Sequence, residues 1–344
     1  VLNESGGINE LYNAALKYQS KLNLRETEIA IKKTKDFFEN SLAEALDLTR
    51  VSAPIFIRGG KGINDDLAGK ERIVSFDALD VKNERLEIVQ SLAKWKRLAL
   101  KRYGFIHGEG LYTDMNAIRR DETLDHLHSL YVDQWDWEKT ISRKQRNMTM
   151  LRTTVEKIYE VIKKTESMVA RLHPVLLPIL PKKVSFISSQ ELEDLYPELT
   201  PKEREDKITE KLGAVFVTQI GHDLRSGKKH DSRSPDYDDW NLNGDLLLWY
   251  PPLGRAIEIT SMGVRVDEKT LIEQLKLAGE EQRLQLEYHQ ALLNKELPYT
   301  IGGGIGQSRL CMLLLQKIHI GEVQVSVWNE ETIEECSKRN IHLL

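Results

Sequence analysis

GLYTDMNAIRRDETLDHLHSLYVDQWDWE, residues 110–138, contains two extended segments, Gly110 to Ile118 and His128 to Trp137, joined by a charged connection from Arg119 to Asp125. No helical pattern separates them, so they predict two antiparallel strands linked by a long loop. Alternation along the second strand puts Gln134, Asp136 and Glu138 on one face and Tyr131, Asp133, Trp135 and Trp137 on the other. Gln134 and Asp136 therefore project together beside bulky aromatics. Such a pair suits a pocket floor that recognises an ammonium and a carboxylate or amide, although a sheet face open to solvent shows the same alternation.

Working upstream, apolar residues between Arg25 and Leu48 recur at helical spacing and predict a long helix leading into an extended segment, VSAPIFI, that contains Pro54. The acidic, Gly-rich stretch Gly59 to Gly69 reads as a loop. Leu86 to Val89 reads as a strand, and Ser91 can cap the helix LAKWKRLALKRY, which Gly104 stops. Residues 1–23 show little periodicity and are expected to be a lead, non-native or disordered, ahead of a single catalytic domain at 24–344.

Downstream, Met148 to Leu172 has a helical pattern, and a Pro-rich hinge and short α/β elements follow as far as Gly221. Beyond a polar loop, His222 to Gly244, the sequence predicts strands at Asp245 to Tyr250 and Ala256 to Ser261, then one long helix from Lys269 to Asn294. GGGIGQSR, 302–309, opens an apolar helix. Strands that follow one another without helices between them indicate an α+β fold, a mainly antiparallel sheet flanked by helices.

The 344 residues can bury a large core. Their 40% hydrophobic and 30% charged content is that of a globular protein, and a net charge of -4 gives no support for a nucleic-acid footprint. No apolar run approaches the roughly 20 residues needed to cross a bilayer, so a cytoplasmic location without membrane association is expected. Cys311 and Cys336 lack the paired spacing of a zinc site.

Four groups of residues carry chemistry. The glycines of GGGIGQSR allow close backbone approach, and Arg309 at the start of the helix can meet an anion. The spacing fits neither a Walker loop nor GxGxxG. Arg119, at a strand end, can reach a phosphate. Gln134 and Asp136 form the floor described above. Among the later acids, Asp236, Asp238 and Asp239 lie in PDYDDW, while Asp245 and Glu258 stand inside apolar strands, where an unpaired carboxylate is costly. Asp245 and Glu258 are candidates to hold Mg²⁺. His126 and His128 lack a third ligand and read as structural. No Ser/His/Asp set and no glutaminase-type cysteine stands out.

An Arg at a strand–loop junction followed later by GxGxxR opening a helix resembles motifs 2 and 3 of class II aminoacyl-tRNA synthetases, and Pro54 after a long helix resembles their motif 1. Longer strings are more specific: SLAKWKR at 91–97, GEGLYT at 108–113, HSLYVDQWDWE at 128–138, HDSRSPDYDDW at 230–240 and IGGGIGQSRL at 301–310. Together they resemble the aspartate-ammonia ligase (asparagine synthetase A) family over about residues 24–330.

The resemblance implies a class II synthetase-like core and a homodimer, with Pro54 and the first long helix near its interface. It implies synthesis of L-asparagine from L-aspartate, ammonia and ATP through a β-aspartyl-adenylate, releasing AMP and pyrophosphate. Arg119 and Arg309 would grip the ATP phosphates, Leu127 and Ser129 would lie against the adenosine, and Glu258 with Asp245 would hold Mg²⁺. Lys96, Gln134, Asp136, Asp238 and Arg265 would position aspartate, with Ser91, Arg233, Tyr237 and Ser261 close by. Asp65 would face the arriving nitrogen. Gln90 departs from the His that commonly precedes SLAKWKR in the family. Two rivals share the core. A tRNA-charging enzyme would carry an anticodon module and a basic surface, neither of which is evident, and a noncatalytic paralogue would show erosion at Arg119, Arg309 or Glu258, all of which are present.

Overall fold

The structure, a computed structural model, describes residues 18–65 and 72–344. Asn23 starts the first helix: its side chain accepts the Glu26 N–H, and the Glu26 carboxylate accepts the Asn23 N–H in return. Helix α1, Leu24–Leu46, ends at Asp47 and leads directly into β1, Leu48–Arg50. Tyr18 to Asn23, part of the expected lead, pack onto the body. Tyr18 donates to Glu322 and Lys317 donates to Ser20, and Leu22 is buried. Residues 1–17 of that lead lie outside the described residues.

Pro54 falls outside any strand, having no N–H to give to a ladder, and pairing begins only at β2, Phe56–Arg58. With β3, Ser75–Ala78, and β4, Val81–Ile88, it forms a small antiparallel sheet in the order β2-β4-β3. Helix α2, Ala93–Tyr103, follows. Gly104 forms the C-cap, as expected, but the N-cap is Leu92, without a side-chain cap; Ser91, one residue earlier, accepts the Ala93 N–H.

The paired strands at the heart of the sequence are β5, Gly110–Ile118, and β6, Tyr131–Thr140, antiparallel with Ile118 opposite Tyr131. Helix α3 spans Met148–Leu172, followed by β7, Ser185–Ser188, α4, Ser189–Leu195, α5, Pro201–Leu212, and β8, Ala214–Thr218.

Two expectations are corrected in the last third. Strand β9 is Asp238–Tyr250, so Asp238 and Asp239 belong to a strand and not to the polar loop; buried partners, including Arg265 opposite Asp238, hold the acidic start in register. The expected helix 269–294 is broken. Strand β10, Arg255–Arg265, precedes α6, Glu268–Ala278, which Gly279 ends with φ 68, a left-handed conformation that glycine adopts freely; α7, Glu287–Leu293, is separate. Strand β11, Thr300–Gly306, then feeds α8, Gln307–Leu314, and α9, Glu330–Lys338, lies near the end.

Among the described residues, the large sheet has eight strands in the order β1-β5-β6-β11-β10-β9-β8-β7. Pairing is antiparallel except for β1 with β5 and β7 with β8. Alternation along β6 sends Trp135 and Trp137 into the main core with Phe38 and Leu42 of α1, Ile158 of α3 and Leu313 of α8. The Phe38 and Trp135 rings lie 4.6 Å apart. The opposite face of β6 is therefore free to carry polar groups.

Candidate active site

On that opposite face Gln134, Asp136 and Glu138 stand across from Gly306, Gly304 and Gly302 of β11. The glycines leave the room these side chains need. A β-carbon on Gly302 would collide with the Glu138 carboxylate and Arg265, and one on Gly304 with Gln134 and Asp136. The motif therefore clears a floor rather than wrapping a phosphate.

The cleft above this floor has a volume of about 400 Å³. Lys96, from α2, donates to the Gly303 carbonyl at 2.9 Å and lies 3.5 Å from Asp136 and 4.0 Å from Glu138. Arg265, at the end of β10, makes a two-pronged pair with Glu138, with Nη2 to Oε2 at 2.7 Å, and a second pair with Asp238. All five groups are buried. Burial pushes the Asp136 and Asp238 carboxyls up and the Lys96 ammonium down; it acts against Glu138 as well, but Arg265, Lys96 and Thr300 together outweigh it and hold that carboxyl below its usual value. The floor holds three carboxylates against two cations. It is suited to a ligand that brings a further positive group.

The other end of the cleft is built by the loop after β5 and the start of α8. The Arg119 N–H closes onto the Leu130 carbonyl, and the guanidinium lies 3.8 Å from Glu122. Arg309 Nη1 donates to the Glu258 carbonyl at 3.1 Å. Both arginines line the cleft together with Leu127, Ser129 and Glu258. Ser129 donates to Gln324, which in turn donates to Ser308 at 3.1 Å.

Of the residues singled out in the sequence, Ser91, Lys96, Arg119, Leu127, Ser129, Gln134, Asp136, Tyr237, Asp238, Glu258, Ser261, Arg265 and Arg309 line this one cleft. Asp65, Arg233 and Asp245 do not. Asp65 is fully buried within electrostatic reach of Tyr237 and Lys94. Arg233 bridges Asp231 and Asp245 behind the Glu258 end. Burial pushes the Asp245 carboxyl up to about 6, Arg233 opposing and Glu258 adding to the shift, and its Oδ1 is buried with no hydrogen-bond partner.

The other acids of PDYDDW are structural. Asp236 accepts from Lys94 at 3.0 Å, His289 at 2.9 Å and Arg283 at 3.3 Å, and Asp239 accepts from Arg146 at 3.0 Å. Burial opposes the Asp236 charge, yet those partners hold its carboxyl far below the usual range. His126 faces the Ile318 carbonyl, and His128, which meets Asp125, lines the cleft. Glu122, in the loop after Arg119 and a candidate nucleotide contact from the sequence, lines the cleft, whereas sequence reasoning missed Gln324 and Glu138 as parts of the site. Glu138 had a signal, sharing a face with Gln134 and Asp136, whereas Gln324 is brought in from afar with no local pattern.

The same architecture occurs in solved structures. Asparaginyl-tRNA synthetase from Pyrococcus horikoshii, solved with asparaginyl-adenylate, superposes with a TM-score of 0.62 at 16% identity, covering 87% of this chain and 68% of that one. The Entamoeba histolytica asparaginyl-tRNA synthetase gives 0.60 at 13% identity, over 94% and 71%. The fold is thus that of a class II aminoacyl-tRNA synthetase catalytic core. Within it, a family model described as aspartate-ammonia ligase matches residues 25–340, and the ligase of Clostridium perfringens strain SM101 is 61% identical over 327 residues, 95% of this chain and 97% of that protein. The Fusobacterium nucleatum enzyme is 58% identical over 329 residues, 96% of this chain and all of that protein. The chain belongs to the aspartate-ammonia ligase family.

Proposed function

We propose that this cleft performs the family's reaction, joining L-aspartate to ammonia at the expense of ATP to give L-asparagine, AMP and pyrophosphate through a β-aspartyl-adenylate. The observation that carries the reading is the buried floor, with its surplus carboxylate, set beside two arginines in one cleft. The aspartate ammonium offsets the surplus at Asp136 and Asp238. Lys96 and Arg265 attract its carboxylates, with Gln134, Ser91, Tyr237 and Ser261 around them. Arg233 acts from behind, by holding Asp245.

A free carboxylate would have to expel an oxide, so transfer to the α-phosphate supplies a leaving group. Arg119 and Arg309 neutralise charge as the carboxylate attacks in line, and Leu127 and Ser129 border the adenosine. Asp245 and Glu258 fit Mg²⁺, since the buried, unpartnered Oδ1 of Asp245 and the repulsion between the two carboxylates both call for a cation. Bound there with ATP, the ion would polarise phosphate oxygens. Held by these two carboxylates, the ion would take its remaining ligands from the ATP phosphates and water. Asp65, behind Tyr237, attracts ammonium and draws off its proton.

We infer that the chain works as a homodimer without nucleic acid. Among the described residues no helix is long and apolar enough to cross a membrane. The test is ATP turnover with L-aspartate and ammonium. AMP, pyrophosphate and asparagine are expected together only when all three substrates are present; ADP as product would refute adenylation.

A further inference from the structure

Gln90 lines the cleft just before Ser91 and is 1% exposed, yet both polar atoms of its amide are buried without a hydrogen-bond partner. Val89 and Leu92 beside it are packed apolar residues, and a leucine would fill the same space without stranding a donor and an acceptor. An unpaired buried amide is destabilising, so its retention at a cleft wall points to a ligand that completes it.

The backbone ties Gln90 to Asp65. Asn64 Oδ1 accepts the Gln90 N–H at 2.9 Å and the Asp65 N–H at 3.0 Å, while Asn64 Nδ2 donates to the Ile88 carbonyl at 3.0 Å. One asparagine thus fixes the backbones of Gln90 and Asp65 together, and Asp65 lies within electrostatic reach of Tyr237 on the cleft wall.

Resting on the ligase reading above, we propose that Gln90 contacts the incoming nitrogen nucleophile, its Oε1 accepting one N–H of ammonia and its Nε2 donating to the carbonyl oxygen of the acyl group, on which charge develops as its carbon is attacked. The ammonia lone pair forms the C–N bond, the acyl C–O bond to phosphate breaks, and AMP leaves with that electron pair. The extra proton on nitrogen goes to Asp65 and then to solvent. A neutral amide cannot take it, so Gln90 positions the nucleophile and does not act as base.

Two rates separate this role from a structural one: aspartate-dependent ATP–pyrophosphate exchange without ammonia, and asparagine formation as a function of ammonium, both in the full chain. For Gln90→Leu, kcat/KM for ammonium falls about tenfold or more while exchange falls by less than about threefold. Gln90→His restores most of the loss at about pH 8, because a neutral imidazole also presents one donor and one acceptor. If Gln90→Leu does not fold, Gln90→Asn, which withdraws the amide by one methylene, carries the same expectation. An unchanged kcat/KM for ammonium overturns the proposal, as does a parallel fall in exchange and ammonia capture. Failure of the unaltered protein to catalyse exchange overturns the ligase reading instead.

Discussion

A β-carbon on Gly304 would occupy the space that Gln134 Oε1 and Asp136 Oδ1 take above β11. Gly304→Ala is therefore expected to displace both side chains while leaving the strand paired. Steady-state kinetics should show a tenfold to roughly hundredfold loss of kcat/KM for aspartate, the scale of an ångström misplacement in a reacting complex, with little change in thermal midpoint. A large drop in midpoint with normal kinetics would show that the glycine serves the sheet and not the floor. At this scale the sequence was partly legible. Alternation on β6 revealed Gln134 and Asp136 because both lie on one strand, but the reason for the glycines lay in a register with a strand more than 160 residues away. The Lys94–Asp236–His289 cluster escaped for the same reason, since its members come from three segments that share no periodicity.

Elements were readable where their signals were local. Helix α3 and strand β5 fall where periodicity places them, because a run of alternating or helical apolar residues needs no distant partner. The acidic start of β9 was misread because its carboxylates are neutralised by residues elsewhere, Arg265 and Arg146, so polar composition mimicked a loop. The turn Ile320–Glu322 offers a test of element stability. His319, 2% exposed, accepts the Gly321 N–H on Nδ1 at 3.0 Å, and burial, with His126 adding to it, depresses its pKa to about 4. The unfolded chain takes up this proton below about pH 6.5, whereas the folded chain resists it until about pH 4. The stability is thus complete above about 6.5 and is lost as pH falls towards about 4, with about 2 kcal/mol gone at about pH 5. Urea unfolding at about pH 7.5 and 5 should show His319→Asn losing about 2 kcal/mol less than the unaltered chain over that interval. Equal losses would remove His319 from the account.

For the whole molecule, the exposed Ile55 and Phe56 follow Pro54, Ile29 projects exposed from α1, and the Phe56 and Phe76 rings meet edge to face at 5.2 Å on the small sheet. An apolar surface of this kind suits an interface. Light scattering is expected to give twice the chain mass, and Ile55→Asp to halve it; a monomer at micromolar concentration in the unaltered protein would reject the dimer. The order of the large sheet has another consequence. Among the described residues, strands β1, β5 and β6 join β10, β9, β8 and β7 through β11, which lies at 300–306 of the 344 residues. During translation the growing polypeptide therefore carries two half-sheets with open edges, and no substrate can bind to speed its maturation. Until Gly306 clears the ribosome, those edges are exposed to self-association, so the burden of protecting the nascent enzyme falls on chaperones and on the pace of synthesis.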